Sequence, residues 1–63
     1  MEDFIKRLLE EREQLNTKIE KLDIFLKSGK DVEDVQLALL ECQLQAMLSY
    51  STCLDERLKR LEK

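Results

Sequence analysis

The stretch Leu26-Lys27-Ser28-Gly29-Lys30-Asp31 is the one strong break in the chain. It holds the only glycine of a sequence that has no proline. Gly29 suits the left-handed residue that follows a helix, and Lys27 places a cation in the last turn before it. Asp31 reads as the N-cap of a second helix, with Asp34 adding negative charge to its first turn. Outward from this break, the spacing predicts helix over about residues 3–27, a turn at 28–31 and helix over about 32–61, with residues 1–63 forming one domain.

Each predicted helix carries a seam. Upstream, Ile5, Leu8, Leu15, Ile19, Leu22 and Leu26 follow at three- and four-residue steps, interrupted by Arg12. Downstream, Leu37, Leu40, Leu44, Met47, Leu54, Leu58 and Leu61 keep the same rhythm, interrupted by Ser51. A short connection makes the helices antiparallel neighbours. The expected fold is all-α: an antiparallel two-helix hairpin, with Leu26 near Leu37 and Ile5 near Leu58. Arg12 within a seam is either a polar layer that sets register or a ligand contact at an interface.

One hairpin does not use all the apolar residues. Phe4, Leu9 and Phe25 lie beside the first seam, and Leu39, Cys42, Ala46, Tyr50 and Cys53 make a second stripe on the second helix. In a chain that is 40% charged, the segment Glu41–Leu54 holds a single charged residue. A helix leaning on one partner would carry charges there. The second stripe therefore implies further copies of the chain, a homo-oligomeric helical bundle. Size points the same way, since 63 residues bury too little surface to be stable without staples or subunits.

A metal staple is not expected, because there is no histidine and the two cysteines have no clustered third ligand. Cys42 and Cys53 fall on nearly one helix face but roughly 16 Å apart along the axis, beyond disulfide reach. They are read as buried, reduced thiols. The start MEDFIKRLLEER carries charges throughout and is not read as a secretory signal, and no run is long enough to span a membrane. A net charge of −3 offers long nucleic acid no general attraction, although a few local cations can hold a small anion.

Catalysis finds little footing. There is no histidine, neither cysteine has an activating base, and the serines sit in no nucleophile motif. The chain is read as a non-enzyme that needs no cofactor. Binding has more support. Antiparallel pairing brings Lys6 and Arg7 toward Arg57, Lys59 and Arg60, with Phe4 among them. Two or three such side chains can grip phosphate while Phe4 stacks on a base. Alternatively, Glu2, Asp3, Glu10, Glu11, Asp55 and Glu56 tie the same cations into surface ion pairs. Ser49, Ser51 and Thr52 either offer hydroxyl donors to a pocket or bond back to their own helix.

Two blocks carry a resemblance. The first is an aromatic, Phe4, followed by Glu11, Leu15, Lys18, Ile19, Lys21, Leu22 and Phe25 in the pattern E-x-x-x-L-x-x-K-I-x-K-L-x-x-F. The second is Leu39, Leu40, Gln43, Leu44, Ala46, Met47 and Tyr50 in L-L-x-x-Q-L-x-A-M-x-x-Y, then Leu54 and Arg57 in L-x-x-R. Together they cover most of the chain and resemble the small phage anti-CBASS sponge proteins. That resemblance implies helical hairpins assembled into hexamers in the cytoplasm of an infected bacterial host. It implies sequestration, without cleavage, of cyclic di- and trinucleotide immune signals held between protomers. It also implies no long nucleic acid or membrane as partner. The aromatic and lysine of the family pocket fall on Phe4 and Lys18. With the basic cluster and the Tyr50 stripe, the candidate ligand-binding set is Phe4, Arg7, Lys18, Tyr50 and Arg57. The competing expectation is a coiled-coil adaptor that binds a protein through the second stripe, or a phage accessory protein.

Overall fold

Two helices account for nearly all of the computed structural model, which describes residues 2–28 and 31–61. Helix α1 runs Glu2–Lys27 and α2 runs Asp34–Leu61. Glu2 and Asp3 sit in the first turn of α1 and Lys27 in its last, each favourable to the helix dipole. Lys27 also pairs with Asp23 one turn earlier at 3.0 Å. Ser28 closes α1. Its N–H donates to the carbonyls of both Ile24 (3.0 Å) and Phe25 (3.2 Å), and its hydroxyl donates to Phe25 O at 2.7 Å. That satisfies carbonyls a helix end otherwise leaves to water. The conformation expected of Gly29 lies outside the described residues.

Helix α2 starts later than the sequence suggested. The first intrahelical bond runs from Leu37 N–H to Glu33 O at 2.8 Å, so Glu33 holds the N-cap position and Asp31 lies outside the helix. The physical reason is distance. Packed helix axes stand ~8–10 Å apart, and residues 31–33 lie outside the helix to serve that crossing.

The helices lie side by side in a rod of 46 × 14 × 13 Å. The core is small: Leu8, Leu15, Leu54 and Leu58 are buried, with Ile5, Ile19, Met47 and Leu61 packed against them. All eight are seam residues, so the seams do face each other. Both seam interruptions are bridged across the helices. Arg12 Nη1 meets Asp55 Oδ1 at 3.4 Å, and Ser51 Oγ donates to Asn16 Oδ1 at 3.1 Å. The two bridges share one register, since four residues up α1 take the contact four residues down α2. Extended by the same steps, Ile5 comes level with the turn of Leu61 and not with Leu58. The longer connection accounts for this shift of about one turn. Arg12 thus bridges the two helices, as a polar layer would.

Among the described residues there is no strand, and no helix is long and apolar enough to cross a membrane.

Candidate anion and nucleobase site

Two side-by-side helices present two broad faces, and seven-residue steps sort the residues between them. Asn16 and Asp55 mark one face through their cross-helix bridges. Leu9 and Leu48, each one heptad earlier, share it and are 42% exposed. On the opposite edge of α1, Phe4, Glu11, Lys18 and Phe25 follow at seven-residue steps, and on α2 so do Gln43, Tyr50 and Arg57. The Arg57 guanidinium lies over the Phe4 ring, 5.8 Å from its centroid, so these two rows belong to one face. This face carries all three aromatic residues of the chain, Phe4, Phe25 and Tyr50, each more than 40% exposed.

The face offers its chemistry at two levels. At the open end of the hairpin, Phe4, Arg7, Leu8, Glu11 and Arg57 line a groove of ≈ 220 Å³. An adjoining groove of ≈ 270 Å³ is lined by Phe4, Arg57, Arg60 and Leu61. Phe4 is common to both. Arg7 Nε donates to the backbone carbonyl of Asp3 at 3.4 Å, which holds its stem along α1. Among the described residues no carboxylate lies within ion-pair distance of Arg7, Arg57 or Arg60. The surface ion pairs of this region involve other groups: Asp55 with Arg12, and Glu56 with Lys59 at 4.0 Å. Three guanidinium groups around one exposed ring form a surface suited to a planar base and a phosphate, because arginine binds phosphate through a fixed fork and stacks on aromatic faces.

Lys18 and Tyr50 sit at the second level, half-way along the hairpin. Lys18 is two residues past Asn16 and Tyr50 one residue before Ser51, so the hydrogen-bonded pair puts them within a turn of each other in height. Lys18 borders a wide groove of ≈ 560 Å³ on the outer side of α1, with Glu10, Glu13, Gln14, Thr17 and Lys21. Fourteen residues separate Phe4 from Lys18, ~21 Å along a helix. Of the five expected ligand-binding residues, the hairpin therefore brings Phe4, Arg7 and Arg57 together and holds Lys18 and Tyr50 a long way off on the same face.

One expectation needs correction within this chain. Cys42 and Cys53 are exposed rather than buried, because they lie on the second stripe outside the seam. Thr52 donates its hydroxyl to Leu48 O at 3.1 Å, and Ser51 is engaged with Asn16 on the opposite face. Thr52 thus takes the second of its two expected roles, bonding back to its own helix, and Ser51 bridges the two helices. Arg60, part of the expected basic cluster but outside the candidate set, borders the Phe4 groove. The signal was available, since Arg60 is one turn beyond Arg57 while Lys59 points toward Glu56.

Comparison with curated proteins and with solved structures returns no match. Comparison with protein families does. The match spans residues 2–60, which takes in both helices and every residue of the Phe4 surface except Leu61. It agrees with the resemblance carried by the two sequence blocks, and the chain belongs to the Sequestin family.

Proposed function

We propose that this protein is a homo-oligomeric sponge of phage origin that binds cyclic oligonucleotide immune signals in the host cytoplasm and sequesters them without cleavage. The observation that carries the reading is the Phe4 surface: an exposed ring under Arg57, flanked by Arg7 and Arg60, in a chain of the Sequestin family. The ring supplies a stacking plane and the guanidinium groups supply charge-assisted hydrogen bonds to phosphate. Nothing in that chemistry cleaves a phosphodiester, and retention without turnover is what a sponge requires.

A shared pocket follows from the ~21 Å between Phe4 and Lys18 along α1. A compact cyclic dinucleotide does not span that length on one hairpin, so a pocket using both residues takes them from different protomers. Exposed apolar side chains on both faces support an assembly larger than a dimer. Phe4, Phe25, Leu39 and Tyr50 lie on one face, and Leu9 and Leu48 on the other. A twofold dimer covers one patch per chain, so a second patch calls for a second interface, as in a hexamer.

The test is calorimetric titration of the purified protein with a panel of cyclic di- and trinucleotides, with its mass in solution measured alongside. The expected result is binding by a closed oligomer, with the ligand recovered intact. Phe4→Ala and Arg7→Ala should each weaken binding by about tenfold or more, and Arg7→Ala, which lies outside the apolar patches, should leave the mass unchanged. A monomer or dimer that binds none of the panel would reject this reading in favour of a coiled-coil adaptor.

A further inference from the structure

The apolar edge of α2 carries information about how two copies meet. Val35, Leu39, Cys42, Ala46, Tyr50, Cys53 and Arg57 follow at steps of four, three, four, four, three and four. They form one strip along the helix, ~33 Å long at ~1.5 Å per residue. All are exposed on the hairpin, with Val35 at 62% and Leu39 at 57%. A strip of that length and about one helix in width is comparable to the largest apolar patches that stable monomers show, and such patches are commonly interfaces.

We infer that α2 pairs with α2 of a second copy, antiparallel, about a twofold axis that passes at Ala46. This rests on the homo-oligomeric part of the proposed function. Charge selects the direction. Helix α2 begins with Glu33 at its N-cap and Asp34 in its first turn, and it ends with Arg57, Lys59 and Arg60. A parallel pair would set like charges against like at both ends, whereas an antiparallel pair sets the acidic start of each helix against the basic end of the other. The helix dipoles then also oppose. Spacing and size select the register. The steps read the same in both directions from Ala46, so a twofold there matches every strip position with another. Cys42 faces Tyr50 of the second copy, Leu39 faces Cys53, and Val35 faces Arg57. Ala46 is the smallest side chain of the strip, and it stands where two crossing helices approach most closely. One consequence touches the Phe4 surface: the first turn of the second copy's α2 arrives beside Arg57, so that groove is walled by two chains.

Site-directed cross-linking on ligand-free protein tests the pairing, with mass in solution measured for each variant. In a Cys42→Ser/Cys53→Ser background, Ala46→Cys treated with copper–phenanthroline in air should form a reducible dimer about tenfold faster than Gln45→Cys, whose side chain lies off the strip. The unmodified chain should cross-link slowly, because its Cys42 and Cys53 would be offset by ~4.5 Å across the axis. Ala46→Glu, which sets two carboxylates face to face, should lower the mass of the assembly, and Gln45→Glu should not. The pairing is overturned if Ala46→Cys reacts no faster than Gln45→Cys, or if the unmodified chain cross-links as fast, which would mean a register three residues away. An intact oligomer without the Ala46 cross-link rejects this pairing alone. A monomeric chain rejects the oligomeric sponge as well.

Discussion

Replacing Leu39 by alanine separates the hairpin from the assembly, and Leu54 provides the reference. Leu54 is 0% exposed at the centre of the leucine cluster. Its truncation leaves a cavity among Leu8, Leu15 and Leu58 that two helices cannot close, and such changes cost about 3 kcal/mol, roughly two powers of ten in the folding equilibrium. Leu39 is 57% exposed, so the hairpin alone has claimed less than half of what its burial offers. Complete burial of a leucine contributes ~2 kcal/mol, which leaves roughly 1 kcal/mol for a neighbouring chain to supply. In an isolated hairpin, Leu39→Ala should change stability by no more than about 0.5 kcal/mol, because alanine is also the better helix former. In an oligomer it should cost about 1 kcal/mol or more per chain. The assay is urea unfolding followed by circular dichroism at several chain concentrations. With a slope near ~1 kcal/mol per molar urea for so small a chain, Leu54→Ala should lower the midpoint by about 3 M at any concentration. Leu39→Ala should lower it by about 1 M, and only where the unmodified protein is assembled. If Leu39→Ala is silent at every concentration, the second stripe of α2 is not covered by another chain and the oligomeric argument fails.

Two further outcomes follow from the polar and charged groups. Arg12→Leu removes an exposed ion pair worth at most ~1 kcal/mol and completes the apolar seam, so the urea midpoint should rise by about 1 M while the mass distribution broadens as register is lost; a midpoint that falls instead would show that Arg12 does more than meet Asp55. Raising salt from about 0.05 to 0.5 M should weaken cyclic dinucleotide binding severalfold through screening of the arginines. Phe4→Leu should weaken it with the same salt dependence, and a changed dependence in calorimetry would mean that the ring does not act by stacking.

The hairpin was legible because two independent signals agreed: a break at Leu26–Asp31 and two seams of matching period on either side of it. All eight residues of the leucine cluster and its surroundings belong to those seams. Register was less legible. Where α2 begins depends on how much chain it takes to cross between the helix axes, and side-chain periodicity carries no information on that length. The partners of the two seam interruptions were out of reach for the same reason, since Asp55 and Asn16 are ordinary helix-surface residues until the register sets them beside Arg12 and Ser51. The candidate site divided along the same line. Antiparallel pairing alone brings Phe4 toward Arg57. Lys18 comes from its place in a sequence block and Tyr50 from the second stripe, and on one hairpin they stand half-way along from the Phe4 groove.

Among the described residues, the exposed face and the lack of ion pairs around Phe4 are two aspects of one arrangement. A surface arginine ordinarily settles beside a carboxylate, and acidic residues outnumber basic ones here by 14 to 11. Of the carboxylates at the open end, Asp55 meets Arg12 on the other face and Glu56 meets Lys59 along its own helix, while Glu11 borders the Phe4 groove outside ion-pair distance of its arginines. The Arg12–Asp55 pair thereby holds one nearby carboxylate on the face away from the Phe4 surface. In the proposed assembly the acidic first turn of a neighbouring α2 lies beside Arg57, so a bound anion would compete with Glu33 and Asp34 for that end of the groove. Each chain meanwhile adds a net charge of −3 to the whole. Screening confines the arginines' pull to about 8 Å at physiological salt. A small cyclic anion can enter that range, while a long polyanion must lay most of its length along an acidic exterior. For the proposed sponge, selectivity for compact over extended nucleotides would then follow from a small basic groove in an acidic exterior, without base-specific contact.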